Sequence, residues 1–300
     1  MLKFIRDWML LFAMLVGGIF YKVTGYISFL TPYLIFVMLL LTFSKLSPRD
    51  LRFNRLHWWL LTIQAVVSIG LYFLIAPYSP VIAGGVLICV LAPTATSAAV
   101  ITGMLGGNVA FLTTYTLISS VAVAFIAPLL FSFIGVHGEI PFGMSFLVIA
   151  RQLGPLLILP LVLAWGIRYA LPSVHRFMLK INSWSFYLWT FALMIVTGMT
   201  VKFLVEHESP NPWTEIIMAG AALVICSGQF ILGRYLGRKY NGDAVSAGQG
   251  LGQKNTILAI WMAQTYLNPL SSIAPAAYVL WQNLINSYQL WRKARINRRG

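Results

Sequence analysis

Long apolar stretches alternate with short polar connections along the whole chain, and ten of these stretches are long enough to form membrane helices. A helix needs about 20 mostly apolar residues to cross the hydrocarbon core of a bilayer. The predicted spans, numbered TM1 to TM10, cover residues 7–21, 26–43, 57–75, 80–104, 108–134, 144–169, 183–205, 214–235, 242–266 and 270–290. The pattern therefore predicts an all-α polytopic membrane protein.

The composition supports this class and excludes several others. Hydrophobic residues make up 59% of the 300 positions, charged residues 9%, and the mean hydropathy is +0.81, which excludes a soluble globular domain. The net charge of +14 is spread over short loops, so the lipid bilayer is the expected partner and nucleic acid is not. Cys89 and Cys226 lie in apolar runs without histidine or cysteine at ligand spacing. We therefore expect no disulfide framework, no metal and no cofactor.

Lysine and arginine residues concentrate in every second loop. These loops carry Lys3 and Arg6, and then the cations of residues 45–55, 168–180, 234–239 and 292–299. The alternate loops hold only Lys22 and Lys202. By the positive-inside rule both termini are expected in the cytoplasm, which an even number of spans permits. A bacterial cytoplasmic membrane is the expected location.

The ninth span is interrupted by a polar, glycine-rich segment, AGQGLGQKNTILA over residues 247–259. Closely spaced glycines favour unwinding of a helix, and free backbone polar groups at membrane depth are tolerated only beside a cavity or inside protein. Lys254 lies about twelve residues into this span, roughly 17 Å deep at 1.5 Å per residue and close to the bilayer midplane. An ionisable side chain at that depth indicates a functional site.

The fourth span carries a second interruption, APTATS over residues 92–97. Pro93 removes a helical hydrogen bond and clashes with the preceding turn, while the neighbouring hydroxyl groups can satisfy the freed carbonyls. TM4 and TM9 occupy the fourth place in two oppositely oriented halves, residues 1–137 and 138–300. Paired interruptions of this kind indicate an inverted-repeat transporter whose substrate site lies where the two breaks cross.

Both interruptions also carry a family resemblance. The segment PTATSAAV at 93–100 with GGNVA at 106–110, and the segment GQKNTILA at 252–259, resemble the two crossover helices of the bile acid:sodium symporter family. The resemblance implies ten helices in two inverted five-helix repeats, with TM1, TM2, TM6 and TM7 as a panel domain and TM3–TM5 and TM8–TM10 as a core domain. It further implies a non-enzymatic carrier of organic anions, such as bile acids or smaller carboxylates, that works by alternating access and is usually coupled to sodium.

The sequence departs from the family pattern at positions that the resemblance assigns to sodium. Ala98 and Ala99 stand where a Ser-Asn pair supplies oxygen ligands. Gly250 and Lys254 stand where the pattern Glu-x-Gly-x-Gln-Asn has its glutamate and glutamine. Sodium, a hard cation, needs several oxygen ligands, and an ammonium about 4 Å away would repel it by about 4 kcal/mol at an effective dielectric constant near 20, roughly a thousandfold in affinity. We therefore expect sodium-independent transport.

Other positions keep the residues that the resemblance makes functional. Gln64 matches a glutamine near the second sodium site, Thr116 matches a hydroxyl of the first site, and Thr96 and Asn255 match the residues that face the substrate. The residues expected to bind substrate are Thr94, Thr96, Ser97, Lys254 and Asn255, and those expected to serve the ion site or coupling are Lys254, Gln64, Gln253 and Thr116. We expect the Lys254 ammonium to occupy the place of the second sodium, where it donates to Gln64 and to crossover carbonyls. Thr94 or Ser97 would supply a further partner.

Three roles for Lys254 are compatible with the sequence. The ammonium can be a fixed tether that locks the crossover, a desolvated amine that binds and releases a proton during transport, or a direct partner of an anionic substrate. Alternatives for the whole protein are a sodium-coupled symporter and a ligand sensor without turnover. A hydrolase with a Ser97–Lys254 pair or a retinal Schiff base on Lys254 receives less support, because the sequence shows neither a nucleophile elbow nor a carboxylate counter-ion. The pattern sets no substrate identity, transport direction or oligomeric state.

Overall fold

The described part of the chain is built from helices. The computed structural model describes residues 12–95, 97–134, 141–181, 184–206, 213–240 and 243–297, and a first helix, α1, is seen over residues 12–19. The further helices are α2 (Tyr21–Tyr26), α3 (Thr31–Phe43), α4 (Arg55–Ile75), α5 (Pro80–Leu91), α6 (Ala98–Met104), α7 (Val109–Ile134), α8 (Phe142–Ala170), α9 (Pro172–Ile181), α10 (Ser185–Glu206), α11 (Trp213–Lys239), α12 (Ala244–Gly252), α13 (Thr256–Tyr266) and α14 (Ile273–Asn297). Short 3-10 turns at Ser28–Leu30, Pro48–Asp50 and Pro269–Ser272 lie between them.

Four helices in the described ranges, α4, α7, α8 and α11, are long and apolar enough to cross a membrane. Shorter apolar helices cover Ser28–Phe43, Pro80–Leu91 and Tyr187–Phe203. Large apolar side chains cover the outside of the long helices, for example Phe73, Phe133 and Val224, which are 65% to 70% exposed. Apolar surfaces of that extent are stable against lipid rather than water. The chain is therefore an integral, multi-pass membrane protein.

Both predicted interruptions are present in the structure. α5 ends at Leu91 and α6 begins at Ala98, with Pro93 in the segment between them. α12 ends at Gly252 and α13 begins at Thr256. Pro93 cannot continue α5, because it lacks an N–H group and its ring clashes with the preceding turn. TM4 and TM9 are therefore each a pair of half-helices.

The half-helix α5 lies inside the molecule. Its residues from Ala83 to Leu91 are all buried, and α4, α11, α13 and α14 contact it. Since these residues are buried, other helices rather than lipid cover this apolar segment. Glycine permits a close approach, since a Cβ on Gly85 would lie 2.9 Å from the Cβ of Ala274 on α14. The carboxyl end of α5 therefore lies in the interior, where its free carbonyl groups need partners.

α12 packs against α11 with the two backbones in contact. A Cβ on Gly237 would lie 2.7 Å from the Cα of Ala244, and a Cβ on Gly233 would overlap the carbonyl group of Ala247. Larger side chains at these glycines would separate the helices. The close contact means that α11 positions α12, and with it the second break.

Three elements differ from the prediction. α2 (Tyr21–Tyr26) covers the predicted connection between TM1 and TM2, and α3 begins at Thr31 instead of residue 26. The ten-residue helix α9 is not among the predicted elements, because a polar connection of that length between two spans is typical of a loop; the ring of His175 within it contacts the carbonyl oxygen of Ser44 at 2.8 Å. α14 continues to Asn297 instead of ending at residue 290. The start of TM1 and the repeat boundary at 137/138 lie outside the described residues, and the ten-helix inverted repeat stays a prediction.

Candidate functional site

The two breaks lie directly against each other. The described residues of the breaks and of the half-helix ends beside them, 89–95, 97 and 250–255, are called the crossing here. Thr94 and Lys254 form an isolated antiparallel bridge. Two backbone hydrogen bonds hold it, from Ala95 N to Gln253 O at 2.9 Å and from Asn255 N to Pro93 O at 2.8 Å. Each break thus supplies partners for backbone groups that the other no longer pairs within a helix.

The carboxyl end of α5 points into the crossing, and side chains from three other segments donate to its carbonyl groups. The bonds are Gln229 Nε2 to Cys89 O at 3.3 Å, Lys254 Nζ to Val90 O at 2.8 Å, and Gln64 Nε2 to Leu91 O at 2.6 Å and to Ala92 O at 3.1 Å. A helix carboxyl end carries partial negative charge and four carbonyls without intrahelical partners. One ammonium and two amides therefore stabilise the end of α5.

Lys254 is enclosed by protein on every side. The residue is 1% exposed, and besides the bond to Val90 its backbone amide donates to Gln282 Oε1 at 3.0 Å. Its titratable neighbours are the thiols of Cys89 and Cys226. No carboxylate in the described parts of the chain forms an ion pair with it. Because an isolated buried charge is costly, the negative end of α5 is the compensation that the structure provides.

The predicted hydrogen bond from Lys254 to Gln64 is wrong. The amide nitrogen of Gln64 is used by the α5 carbonyls, and its Oε1 accepts from the hydroxyl of Tyr115 at 2.8 Å. The two side chains act in parallel on the same helix end. Within the described residues the ammonium makes no bond to Thr94 or Ser97 either, since Thr94 Oγ1 donates to Gly250 O and Ser97 Oγ accepts from Gln253. The predicted donation to a carbonyl of the first crossover helix is present, at Val90 O.

A tyrosine ring fills the space beside Gly250, the position where the family resemblance expects a glutamate. A Cβ on Gly250 would lie 2.9 Å from Cδ1 of Tyr115, and this tyrosine is 0% exposed. A glutamate side chain therefore does not fit there while Tyr115 is present. Tyr115 was not among the predicted site residues; the available signal was a large aromatic residue among small hydroxyl residues in TM5.

The predicted side chains of Thr94, Ser97 and Gln253 form hydrogen bonds within the crossing. Thr94 Oγ1 donates to Gly250 O at 2.7 Å, and Gln253 Nε2 donates to Ser97 Oγ at 2.9 Å. Both bonds join the first break to the second half of the chain. Thr116 differs, because its hydroxyl donates to Leu112 of its own helix at 3.0 Å.

Asn255 and Ser97 keep partial exposure, whereas Thr94, Gln253 and Lys254 are buried. The Oδ1 atom of Asn255 accepts from Leu258 N at 3.3 Å and caps α13. Its amide nitrogen makes no hydrogen bond within the described residues. Asn255 therefore offers a donor at the accessible side of the crossing.

The remaining predicted positions contribute methyl groups or lie outside the description. Ala98 and Ala99 form the first turn of α6, and Ala98 is 0% exposed. Neither side chain can provide an oxygen ligand. Thr96 lies outside the described residues.

Three further side chains belong to the crossing and were not predicted. Tyr278 donates its hydroxyl to Gly252 O at 2.8 Å, which satisfies the carboxyl end of α12. Gln229 donates to the Tyr278 oxygen at 3.0 Å, and Ser119 Oγ accepts from Thr94 N at 3.1 Å. Polar residues within apolar spans were the available signal, but only the packing shows which of them meet.

Two cavities lie at opposite ends of α7. One of about 380 Å³ is lined by Lys45, Leu46, Ser47, Leu51, Val109, Ala110, Thr113 and Thr114, and another of about 170 Å³ by Tyr72, Pro80, Val81, Gly84, Ile134, Leu267, Asn268 and Ser271. Neither is lined by residues of the crossing. Ser119, which contacts the crossing, lies between the two ends of the helix. The two cavities therefore lie towards opposite ends of α7, and the crossing contacts that helix between them.

Comparison with known proteins identifies one family. A sequence model described as the sodium bile acid symporter family matches residues 26–207, which is more than half of the 300-residue chain. The matched part includes Gln64, the first break and Tyr115. The second break and Lys254 lie beyond it. No curated protein matches the chain.

Proposed function

The chain belongs to the sodium bile acid symporter family, and we propose from this that it carries organic anions across the membrane by alternating access without coupled sodium. Membership of this family supports a membrane transporter of the bile acid or organic anion type rather than an enzyme. The absence of sodium coupling, the role of each residue and the substrate itself belong to the proposal.

The observation that carries the proposal is the hydrogen bond from Lys254 Nζ to Val90 O. It holds an ammonium at the negative end of a half-helix inside the crossing, where the resemblance places a sodium ion. Gly250 and Ala98 add no side-chain oxygen, and Tyr115 occupies the space beside Gly250. A fixed cation of the protein then performs the structural task of the sodium, holding two broken helices together.

Substrate would bind on the accessible side of the crossing. Asn255 offers an amide donor there, and we propose that Thr96 and backbone N–H groups at the start of α6 and α13 complete the site. Anions are favoured at helix amino ends because those ends carry partial positive charge. Thr94, Ser97 and Gln253 then hold the crossing in shape. The Lys254 amine tethers α5 to the second break and, in the proton-coupled form of the proposal, also binds and releases a proton.

Alternating access is supported by two cavities at opposite ends of α7, neither of which is lined by residues of the crossing. A rearrangement of the helices around it would open one cavity to the substrate site while closing the other. A panel domain and a core domain that move against each other, as the family resemblance implies, provide such a rearrangement. Both termini in the cytoplasm and a bacterial cytoplasmic membrane remain part of this proposal.

Uptake into proteoliposomes tests the proposal. The purified protein would be assayed with bile acids and small carboxylates in sodium, potassium or choline buffer at acidic and alkaline pH, together with Lys254→Gln. Equal uptake in all three cations is expected for the wild type, and a strict sodium requirement would overturn the proposal. A pH dependence that disappears in Lys254→Gln would assign proton coupling to this amine.

The same assay separates the alternatives. A ligand sensor would bind substrate without uptake, and a sodium-coupled symporter would need sodium. A Ser97–Lys254 hydrolase gains no support from the structure, because Ser97 pairs with Gln253 while Lys254 pairs with Val90.

A further inference from the structure

One face of α14 carries a continuous line of polar side chains through an otherwise apolar environment. The residues are Tyr278, Gln282, Asn286, Gln289 and Lys293. Their spacing of three or four places them on the same side of the helix, and the line is about 22 Å long at 1.5 Å per residue. Leu284 and Tyr288, 59% and 58% exposed, belong to a different face. We call these five residues the polar stripe.

The inner end of the polar stripe is in contact with the surroundings of Lys254. Gln282 accepts the backbone amide of Lys254 at 3.0 Å. Tyr278 accepts from Gln229 at 3.0 Å, and Gln229 also donates to Cys89 O, the carbonyl next to the one that binds the ammonium. The stripe therefore begins at the residues that enclose Lys254.

The middle of the stripe contains buried polar atoms that lack partners. Gln249 Nε2 donates to Asn286 Oδ1 at 3.0 Å and to Gln289 Oε1 at 3.2 Å. Gln249 Oε1 and Asn286 Nδ2 have no hydrogen-bond partner among the described residues, although the two residues are only 1% and 4% exposed. One atom is a hydrogen-bond acceptor and the other a donor. A bound water molecule can donate to the first and accept from the second. Leaving both unpaired would cost about 1–3 kcal/mol each.

The outer end of the stripe reaches a basic surface. Arg234 Nη2 donates to Gln289 Oε1 at 2.7 Å, and Lys293 Nζ donates to Met104 O at 3.2 Å. On the predicted orientation this is the cytoplasmic face. The stripe thus connects that face with the buried amine along α14.

We propose that the polar stripe, with Gln249, admits water from the face of Arg234 and Lys293 to the surroundings of Lys254. This route follows α14, whereas the substrate is proposed to bind at the partly exposed side of the crossing, where Asn255 lies. It rests on the proposed function and deepens it, because a protein amine in place of sodium can exchange its proton with bulk water only along such a route.

The side chains that face Lys254 include no ready proton donor or acceptor, so water is the expected proton partner of the amine. The titratable side chains around it are Cys89 on α5, Cys226 on α11 and Tyr278 on α14. Gln229 and Gln282 are neutral amides, and no carboxylate among the described residues pairs with it. A thiol and a phenol are weak acids, so neither is a ready proton donor near neutral pH.

Thiol labelling tests the route directly. In a Cys89→Ala/Cys226→Ala background, Asn286→Cys on the stripe would be compared with Leu284→Cys on the lipid-facing side. A small water-soluble methanethiosulfonate reacts with thiolate, which forms only where water is present, so labelling at position 286 is expected to be at least about tenfold faster. Equal rates at the two positions would overturn the proposal.

A blocking substitution gives a matched second readout. Gln289→Leu, added to Asn286→Cys, is expected to slow that labelling about tenfold, because an apolar side chain closes the outer part of the stripe. Tyr288→Leu, on the exposed face, should leave the rate unchanged. If both variants slow the labelling of position 286, or if neither does, the route is contradicted. Size-exclusion profiles verify that each variant is folded.

Failure of the water route can be distinguished from failure of the proposed transport function. If the wild type takes up no anion while position 286 is labelled rapidly, the transport function fails and the water route stands. If uptake is observed and positions 286 and 284 react alike, the route alone fails.

Discussion

The Nζ atom of Lys254 lies 2.8 Å from the carbonyl oxygen of Val90, a residue 164 positions earlier in the chain. The contact joins the two interrupted helices at their breaks and places an ammonium at the negative end of a buried half-helix. Removing this charge affects the stability of the crossing and also the electrostatic exclusion of a metal cation. Different substitutions separate the two effects.

Loss of the tether is expected to destabilise the protein. Lys254→Ala leaves the buried Val90 carbonyl without its donor, at a cost of about 1–3 kcal/mol. Lys254→Gln should lose less, because a carboxamide can still donate. Melting temperatures of the detergent-purified proteins measure these losses of stability. Lys202→Ala, which removes the exposed pair with Glu206 at 3.9 Å, is the control and should change stability by less than about 0.5 kcal/mol. A Lys254→Ala protein as stable as the wild type would exclude the tether.

Gln64 and Tyr115 are expected to act as a unit. Gln64→Leu removes two bonds to α5 and one from Tyr115, so a loss of about 2–3 kcal/mol is expected. Tyr115→Phe removes the last of these alone, at about 1 kcal/mol. The stability of the double variant should lie within about 0.5 kcal/mol of that of Gln64→Leu, because Gln64→Leu has already removed the bond that the two residues share. Strictly additive losses in denaturation experiments would contradict the shared bond.

Gly250 is expected to tolerate no side chain. In Gly250→Ala the new Cβ would meet the Tyr115 ring at 2.9 Å, and overpacking of this kind costs about 1–3 kcal/mol. Gly220→Ala is the matched control, because no atom lies within 4 Å of the Cβ that would be added there. Folded yield and melting temperature should fall for the first variant and not for the second. Adding Tyr115→Ala to Gly250→Ala should restore part of the loss.

A sodium response is expected to appear when the occupying groups are removed. The combination Gly250→Glu, Tyr115→Ala and Lys254→Gln restores the glutamate and glutamine that the family resemblance assigns to these positions and opens space for the glutamate. A ligand present at ten times its dissociation constant stabilises the folded state by about 1.4 kcal/mol. The melting temperature of the triple variant should therefore rise in sodium relative to choline, while that of the wild type should not. A sodium-dependent rise in the wild type would show that Lys254 does not replace the ion.

Asn255 is expected to combine a structural and a substrate-binding role that two substitutions separate. Asn255→Asp retains an oxygen that can accept from Leu258 N and cap α13, but it replaces the free amide donor with a negative charge. Anion affinity should fall at least about tenfold, the equivalent of a lost charge-assisted contact, with stability unchanged. Asn255→Ala should lose affinity and also about 1 kcal/mol of stability, because the cap is gone. Binding titrations and melting curves on the same samples distinguish the outcomes.

Local properties of the sequence were sufficient for the main architecture. The apolar stretches predict the long helices because every backbone group in lipid must be paired within the protein. Pro93 and the glycines around Lys254 predict the two breaks, since they act on the chain where they stand. The segment of α9 carries an amphipathic pattern, with Val174, Phe177, Met178 and Ile181 at spacings of three or four, but it is too short for a span and was not predicted as a helix.

The partners of the predicted residues depended on tertiary structure. Lys254 was predicted to contact Gln64, and the two instead bind adjacent carbonyls of α5. Tyr115, Gln229 and Tyr278 come from α7, α11 and α14, and each reaches the crossing only because its helix packs there. Sequence alone thus determined that an amine stands in the second break and that Ala98, Ala99 and Gly250 supply no side-chain oxygen there, because residue identity sets charge and ligand chemistry. Only the folded chain decided which carbonyl receives its charge, because helix packing brings together groups that are far apart in the sequence.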